Sequence, residues 1–195
     1  MAASNNTLRI GVIAEEINDV EVLYELTCKI IAENTFSFRR FIGHGCGKVR
    51  RKCAAWSANL MARGCTHLVV LHDLDRHNEE ELRKQLETSI AQQNFKGKLV
   101  LIPIEELEAW LLSDPIAIKK SFNMQKVPKI RKNVESIPSP KEYLAKIVDR
   151  NSKTTYLNTI HNKRIARNVK LTSVKRCGSF KPYPKFILQA AKNGT

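Results

Sequence analysis

Four short runs rich in apolar and β-branched residues alternate with longer segments of helical period along the first hundred residues, and this alternation restricts the fold most strongly. The runs span residues 8–14, 35–42, 66–72 and 98–104. Between them, apolar residues recur every three or four positions, as they do on one face of an amphipathic helix. Strands and helices that alternate in this way form parallel sheets covered by helices. We therefore expect an α/β core with a mainly parallel four-stranded sheet flanked by helices.

Local capping patterns indicate where several helices begin. We expect the first helix to open at Asn18, and Asn78 has the position of a helix cap. Two later pairs each offer a cap followed by proline at the first helical position, namely Asp114-Pro115 and Ser139-Pro140. The chain beyond residue 114 is therefore predicted to be mostly helical.

Charge is distributed unevenly along the chain. Residues 1–114 hold 14 Lys and Arg against 16 Asp and Glu, whereas residues 115–195 hold 19 against 3. We predict two parts accordingly, an α/β core (1–114) and a basic, mostly helical C-terminal extension (115–195) packed on it. Concentrated positive charge with interleaved aromatic residues is typical of proteins that bind nucleic acid. A solvated basic surface that only aids solubility is the alternative.

Neither secretion nor membrane insertion is predicted. No apolar run approaches the roughly 18 residues of a membrane span, and the first residues lack the basic and long apolar segments of a signal peptide. The five cysteines form no CxxC pair, which favours reduced, buried thiols over a disulfide framework. We expect a cytoplasmic protein with no membrane partner.

Acidic residues directly follow two of the predicted strands. Glu15 and Glu16 follow the first strand, and Asp73 and Asp75 follow the third. Functional side chains of an open parallel sheet gather where its strands end. If residues 73–75 stay extended, the two aspartates point the same way about 7 Å apart. With a carboxylate from a neighbouring strand they would form an oxygen-rich site that suits Mg²⁺ or Mn²⁺.

More ordinary interpretations of these acids stay open. Aspartates after a strand often only form a turn, because they bond their own backbone. A glutamate near a helix N-terminus can be no more than a favourable electrostatic neighbour. Because Glu15 and Glu16 are adjacent, they are expected to point to opposite sides, so that only one faces the site.

A glycine-rich loop, GHGCGK from Gly43, precedes the second predicted helix. It lacks both anchors of a P-loop, so a Walker ATPase is not expected. Backbone N–H groups at a helix N-terminus can still hold one phosphate, and Lys48, Arg50 and Arg51 would add positive charge there. A flexible turn is the equally good alternative.

Two of these segments resemble motifs of the Toprim superfamily. IAEEINDVEVL resembles its first motif, a strand that ends in Glu before an apolar helix, and VVLHDLDR resembles its Asp-x-Asp motif. The resemblance implies a Toprim-like or Rossmann-like sheet in which Glu15 is the conserved acid and Asp73 and Asp75 bind metal. Asp19 would be the acid that opens the helix, and Glu16 stands where that family usually has glycine.

A third segment, IPIEELEAWLLSDP, resembles small stand-alone Toprim proteins related to the OLD-type nucleases, a bacterial family of largely uncharacterised function. Residues near the C-terminus resemble the tail of the same family: Lys153, Tyr156, His161, Cys177, Ser179, Phe180 and Phe186. The resemblance places Glu108 and Trp110 at the edge of the site. For Glu108, a metal ligand and a surface acid are the two alternatives, and for Trp110 the alternative is a core residue.

The resemblance implies metal-dependent chemistry on phosphodiesters. A chain of 195 residues has no room for the further domains of a topoisomerase or primase, which leaves a nuclease. Glu15, Asp73 and Asp75, with Glu108 at the edge, would hold Mg²⁺ or Mn²⁺ and so activate a water. Glu15 or Glu16 would otherwise act as a general acid or base.

Partners follow from charge and from the resemblance. Basic residues of the C-terminal half, such as Lys153 and Lys163, would hold the backbone of DNA or RNA. The resemblance also implies an SMC-like or ABC-like ATPase partner, sometimes within an anti-phage defence system. Two other functions stay open: a non-catalytic Toprim-like subunit that binds nucleic acid or the ATPase, and a phosphohydrolase of small nucleotides.

Overall fold

The computed structural model describes residues 7–192, and its centre is a parallel sheet. The strands are β1 (Leu8–Ala14), β2 (Phe36–Ile42), β3 (His67–Leu71) and β4 (Gly97–Leu101). They lie in the order β2-β1-β3-β4, and every neighbouring pair is parallel. The predicted α/β class with a four-stranded parallel sheet is therefore confirmed, and the architecture is consistent with a Rossmann-like or Toprim-like fold.

Helices flank the sheet and make up most of the chain after β4. They are α1 (Ile17–Thr27), α2 (Cys46–Ala62), α3 (Glu79–Ile90), α4 (Glu108–Leu112), α5 (Pro115–Ser121), α6 (Pro140–Asn151), α7 (Asn158–Asn168), α8 (Leu171–Val174) and α9 (Pro182–Lys192). Short 3-10 turns span Glu33–Thr35 and Val134–Ser136. No helix within residues 7–192 combines the length and the apolar character needed to cross a membrane.

The central strands are apolar on both faces. In β1, Ile10 and Val12 pack into one apolar cluster and Ile13 into the other. Neighbouring Val69 and Val70 of β3 divide between the same two clusters, because successive side chains of a strand point to opposite faces. Both faces of the sheet are thus covered, as is usual for parallel sheets.

Helices α2 and α3 cover one face of the sheet. Leu60 of α2 and Leu86 of α3 are fully buried in the cluster on that face. Gly11 of β1 allows α2 to approach closely, since a Cβ at this position would lie 3.0 Å from the Leu60 side chain. This face is complete by the end of β4.

Helix α1 and the C-terminal helices cover the other face. Its cluster joins Leu23 of α1 to Ile165 of α7 and Tyr183 of α9, all fully buried. The Tyr183 hydroxyl lies 2.6 Å from the Thr27 hydroxyl at the end of α1. The predicted boundary at residue 114 therefore lies within one continuous apolar cluster.

Helix α1 begins one residue earlier than predicted. Its N-cap is Glu16, whose backbone is extended and whose N–H donates to the Asp19 carboxylate at 2.8 Å. Asn18 lies in the first turn and is buried, so its prediction as the start of the helix was wrong by one position. The carboxylate three positions after the cap accepts the backbone N–H of the cap residue, as in a capping box.

Two other predicted caps are confirmed. The Asn78 side chain accepts a hydrogen bond from the backbone N–H of Glu81 at 3.1 Å. The Asp114 side chain accepts one from Ala117 at 3.2 Å, with proline at the first position of α5. Ser139 precedes Pro140 of α6 as predicted, but its side chain makes no capping hydrogen bond.

Four of the five cysteines carry free thiols, and the thiol of Cys46 lies outside the described part. Cys53, Cys65 and Cys177 are buried in the apolar clusters. Burial raises the pKa of Cys53 to about 11 and that of Cys177 to about 12. These thiols are therefore neutral and act as small apolar side chains.

Candidate acidic site at the carboxyl edge of the sheet

Five acidic side chains lie together beyond the carboxyl ends of β1 and β3. Pairing of Ile13 with Val70 brings these two strand ends to the same edge of the sheet. We call the group the acidic cluster; its members are Glu15, Asp19, Asp73, Asp75 and Glu108. The negative charges of the other four all raise the pKa of Asp73, which lies among them. The fold therefore brings together residues from three distant parts of the sequence.

Glu15 links the ends of the two central strands. Its carboxylate accepts a hydrogen bond from the backbone N–H of Asp73 at 3.2 Å and lies 3.1 Å from Nδ1 of His72. Burial raises its pKa to about 7, and the charge of Asp75 acts in the same direction. The hydrogen bond from Asp73 opposes this change without cancelling it. Glu15 can therefore gain or lose a proton near neutral pH.

Asp73 is held in place by the segment that precedes α4. Its Oδ1 accepts a hydrogen bond from the backbone N–H of Leu107 at 3.0 Å. Desolvation raises its pKa well above the usual range for an aspartate, and repulsion from Asp19 and Glu108 adds to the effect. The fold thus fixes the position of this carboxylate and at the same time makes its charge unfavourable.

Asp19 is the buried member contributed by α1. Burial raises its pKa to about 8, although the N–H of Glu16 stabilises the charged form. Its Oδ1 accepts a hydrogen bond from the Asn18 side-chain amide at 3.2 Å. The amide oxygen of the same Asn18 is buried and has no partner among the described residues. An unsatisfied oxygen therefore lies next to a carboxylate in a region that already holds an excess of acceptors.

Asp75 does not continue the strand, so the prediction of two parallel aspartates on an extended segment was wrong. Strand β3 ends at Leu71, and the chain then pairs with the segment after β4, where the N–H of Asp75 donates to the Glu105 carbonyl at 3.2 Å. At this point the backbone turns into the left-handed region, with φ of 46° at Asp75 and 63° at Arg76. Aspartate is among the residues that tolerate this conformation. Asp75 is exposed, yet close enough for its charge to raise the pKa of Glu15.

Glu108 is buried and not a surface acid, with only 4% of it exposed. Its Oε1 accepts hydrogen bonds from the Asn162 side chain at 2.9 Å and from the Tyr156 hydroxyl at 3.3 Å. The Tyr156 hydroxyl also donates to the Asn162 carbonyl oxygen. Trp110, two residues further along α4, is fully buried and donates from Nε1 to Ser179. It is a core residue.

Asn162 and Tyr156 therefore support the site from the basic C-terminal half. Sequence analysis did not single out Asn162, and it named Tyr156 only as part of a resembling tail. One pattern could have indicated Asn162: it lies on the inner face of α7, where Ile165 and Ala166 are also buried. A polar residue on a buried helix face needs a polar partner, and that partner is Glu108.

His72 is a further residue that sequence analysis did not assign. It is fully buried, and Nδ1 lies 2.7 Å from the Asp73 carbonyl, so this nitrogen carries the proton and donates. Burial lowers the pKa of His72, which keeps the ring neutral. Its contact with Glu15 is therefore not an ion pair, and it supplies the cluster with no positive charge.

Glu16 lies beside the cluster, where its charge raises the pKa values of Glu15 and Asp19. Its side chain is exposed and accepts a hydrogen bond from the Asn158 amide of α7 at 3.0 Å. Of the two adjacent glutamates, only Glu15 contacts the end of β3. Glu16 instead joins the N-termini of α1 and α7.

The loop after β2 brings positive charge towards Glu15. The N–H groups of Gly43 and His44 donate to the carbonyls of Ala14 and Glu15 at 2.9 and 2.8 Å. This places the N-terminus of α2 beside the cluster, and the charge of Arg50 lowers the pKa of Glu15. The other two basic residues predicted here, Lys48 and Arg51, are exposed on α2.

The two basic residues predicted in the C-terminal half differ in their surroundings. Lys163 forms an ion pair with Glu21 of α1, with Nζ 3.2 Å from the carboxylate. Its charge therefore serves to join α7 to α1. Lys153 is exposed in the segment between α6 and α7 and forms no ion pair within residues 7–192.

The donor set of the acidic cluster suits a hard divalent cation, but the side chains do not form a ready coordination shell. Within the described part of the chain, no three Asp, Glu, His or Cys side chains are placed together as metal ligands. Glu15 and Asp73 instead use carboxylate oxygens to accept backbone N–H groups. Every member of the cluster offers carboxylate oxygens, which Mg²⁺ and Mn²⁺ prefer. The chemistry of the donors fits these ions.

The model of one protein family matches most of the chain, residues 21–185. Its description is "Domain of unknown function (DUF4276)". No curated protein and no solved structure gives a significant match. The matched range contains Asp73, Asp75 and Glu108, whereas Glu15 and Asp19 lie just before it.

Proposed function

Because the chain belongs to the family described as a domain of unknown function (DUF4276), we propose its function from the acidic cluster itself: divalent-metal-dependent hydrolysis of phosphodiester bonds in nucleic acid. One observation carries this proposal, the convergence of five carboxylates from separate parts of the chain at the carboxyl edge of a parallel sheet. The sequence resemblance to Toprim proteins, and to the stand-alone proteins related to OLD-type nucleases, supports the same function.

The electrostatics of the cluster favour a bound cation. No Lys or Arg forms an ion pair with any of its five members within residues 7–192. Burial, and after it repulsion from neighbouring carboxylates, raises the pKa values of Glu15 and Asp19. A divalent cation would remove the repulsion that now favours protonation, so that metal and protons compete for the same carboxylates.

Glu15, Asp73 and Asp75 are the residues that would hold Mg²⁺ or Mn²⁺. The bound ion would supply an activated water and neutralise charge on the phosphate. The backbone N–H groups of Asp73 and Leu107 hold the Glu15 and Asp73 carboxylates in place. Glu108, fixed by Asn162 and Tyr156, would remain at the edge of the site.

A proton can move at the same site. In place of metal binding, Glu15 would act as a general acid or base, because its pKa of about 7 suits proton transfer near neutral pH. The positive charge of Arg50, together with exposed Lys48 and Arg51, would attract the phosphates of the substrate. An SMC-like or ABC-like ATPase partner and a role in phage defence belong to this proposal on the resemblance alone. A cytoplasmic location belongs to it on the sequence expectations of reduced cysteines and of no signal peptide or membrane span.

A cleavage assay tests the proposal. Labelled single-stranded DNA, duplex DNA and RNA are incubated with the protein and Mg²⁺ or Mn²⁺. We expect metal-dependent cleavage that EDTA abolishes and that Asp73→Asn and Asp75→Asn each reduce by about 100-fold or more. Glu87→Gln is the matched control, because Glu87 is an exposed acid on α3; it should cleave at the rate of the unmodified protein.

Other outcomes assign other functions. Salt-sensitive binding of nucleic acid that survives Asp73→Asn, without cleavage of any polymer, would support a non-catalytic subunit. Turnover of mononucleotides at rates indifferent to polymer length would support a phosphohydrolase. Equal cleavage by the unmodified protein and both aspartate variants would show that the acidic cluster is not the site of hydrolysis.

A further inference from the structure

A second basic surface lies on the C-terminal half, outside the acidic cluster and its supporting residues. It is a groove of about 540 Å³ between the segment around Pro128 and helix α6. We call it the α6 groove. None of its lining residues is acidic, and its four cations are Lys126, Lys129, Lys146 and Arg150.

The four cations of the α6 groove are not neutralised within the protein. All four are exposed, and none forms an ion pair within residues 7–192. By contrast, Lys163 and Arg167 of α7 are paired with glutamates of α1. Unpaired cations around a concave surface repel one another, and a polyanion that lies between them relieves this repulsion.

The floor of the α6 groove is apolar and aromatic. Ile147 is 8% exposed and closes the bottom, whereas Val127 is 48% exposed at the rim. Tyr143 is half-buried and also lines an adjoining groove of about 300 Å³. The Tyr143 hydroxyl makes no hydrogen bond among the described residues. A polar contact of this hydroxyl is therefore not the reason for an aromatic side chain at this position. A partly exposed ring between cations offers a surface on which a base can stack.

The groove residues of α6 share one side of the helix. Tyr143, Lys146 and Arg150 are three and four positions apart, the spacing of neighbours on a helix surface. Lys146 and Arg150 are separated by about 6 Å along the helix axis. Cations at this separation can contact neighbouring phosphates of one strand.

We propose that the α6 groove binds single-stranded nucleic acid, with its cations on the phosphates and Tyr143 stacked on a base. A duplex is a poorer match, because its bases already stack on each other. An acidic peptide would satisfy the cations but would leave Tyr143 without a planar partner. A membrane surface would find little apolar side chain to bury beyond Val127.

The proposal for the α6 groove depends only on the residues of the groove. It does not require that the acidic cluster be catalytic. The two surfaces are nevertheless joined by α6. The N–H of Lys141, in the first turn of α6, donates to the Glu106 carboxylate at 2.7 Å, two residues before Glu108. A strand held along α6 would therefore have one end near the acidic cluster.

Binding measured in EDTA tests the groove without any cleavage. Fluorescence anisotropy of labelled 12-nucleotide DNA and RNA is recorded from 50 to 200 mM salt. Lys146→Ala combined with Arg150→Ala should weaken binding at least tenfold and reduce the slope of log K against log salt by about 1.4, since each phosphate contact contributes about 0.7. Lys175→Ala combined with Lys181→Ala removes two other exposed charges and should weaken binding less than threefold.

The aromatic part of the groove has its own variant. Tyr143→Leu keeps the charge and should weaken single-strand binding about fivefold or more, with an unchanged salt slope. Circular dichroism and thermal melting of each variant show that a loss of binding is not a loss of folding. Equal effects of the groove and control charge pairs would overturn the proposal, as would duplex binding that matches or exceeds single-strand binding. Stronger binding of phosphatidylserine vesicles or poly-glutamate than of the oligonucleotide would assign the groove to a membrane or a protein.

The two proposals fail separately. Loss of cleavage in Asp73→Asn with intact oligonucleotide binding supports both. Absence of cleavage in the unmodified protein, together with binding that depends on Lys146 and Arg150, would leave the groove and remove the nuclease. Cleavage by the unmodified protein, together with oligonucleotide binding that is indifferent to the groove variants, would leave the nuclease and remove the groove.

Discussion

The carboxylate of Glu15 accepts the backbone N–H of Asp73 at 3.2 Å, although the two residues are 58 positions apart in the chain. The bond joins the ends of the two central strands and fixes the entrance to α1. It also holds two acidic side chains close together in a region where burial already disfavours charge. The close carboxylates at the carboxyl edge of the sheet therefore lower the stability of the fold. The size of this effect depends on pH and on bound cations.

Glu15→Gln should stabilise the protein at high pH. The raised pKa of Glu15, about 7, means that the folded state favours its protonated form. Ionised Glu15 therefore destabilises the fold, by an amount that grows as pH rises from about 4.5 to about 7 and is complete above that. We expect a gain of roughly 2 kcal/mol at pH 8 after allowance for solvent screening, and no gain at pH 4.

Urea unfolding at a series of pH values measures this difference. Glu87→Gln, which changes an exposed acid of α3, is the control and should stay within about 0.5 kcal/mol of the unmodified protein at every pH. A gain that is the same at pH 4 and pH 8 would show that the charge of Glu15 is not its cause.

Mn²⁺ should raise the melting temperature in a manner that depends on Asp73. An ion at 100 times its Kd adds about 2.7 kcal/mol to stability, which corresponds to a shift of about 5 to 10 °C for a chain of this size. The shift should be smaller at pH 6 than at pH 8, because protons occupy Glu15 and Asp19 at the lower pH. Differential scanning fluorimetry gives the measurement. An undiminished shift in Asp73→Asn would place the ion elsewhere.

Asn162→Ala should be strongly destabilising. The substitution removes the amide that donates to Glu108 at 2.9 Å and the oxygen that accepts from Tyr156, and it leaves both partners buried. We expect a loss of about 2 to 4 kcal/mol in chemical denaturation. Asn158→Ala also removes an amide hydrogen bond to a glutamate, but at an exposed position, and should cost less than about 1 kcal/mol. Similar losses for the two variants would contradict a buried network around Glu108.

Two glycines of the loop after β2 and the start of α2 should respond in opposite directions. A Cβ at Gly43 would lie 2.6 Å from the Val49 side chain and 2.9 Å from the Gly45 carbonyl, so Gly43→Ala should destabilise by about 1 to 3 kcal/mol. A Cβ at Gly47 would meet only the end of the Arg51 side chain at 3.5 Å. Since alanine favours helix over glycine, Gly47→Ala should stabilise by up to about 1 kcal/mol. Thermal melting of both variants checks the signs.

The strands could be predicted because their sequence pattern is local. The run of apolar residues that becomes β3 is bounded by polar residues, and its prediction over 66–72 differs by one residue at each end from the observed His67–Leu71. The cap at Asn78 was also local, since it depends on the N–H only three residues later. Features that depend only on residues close in the sequence could therefore be predicted.

The details of the site depend on contacts between distant parts of the chain. The turn at Asp75 is set by pairing with Glu105, which no local pattern shows. Asn162 meets Glu108 across 54 positions, and Lys163 meets Glu21 across 142. The sequence alone does not show whether a lysine in a basic segment forms an ion pair. Sequence could therefore indicate which acids gather, but not what holds them or which cations remain available.

The position of α9 has a consequence for how the chain folds during synthesis. Tyr183 and Ile187 of α9 are fully buried against α1 and the sheet, although they follow the last strand, β4, by about 80 residues in the sequence. On the ribosome, the face covered by α2 and α3 can assemble once β4 has emerged. The opposite face stays bare until α9 leaves the exit tunnel. The nascent chain therefore exposes half of its core while the residues between β4 and α9 are synthesised, and exposed apolar surface of this kind favours chaperone binding in that interval.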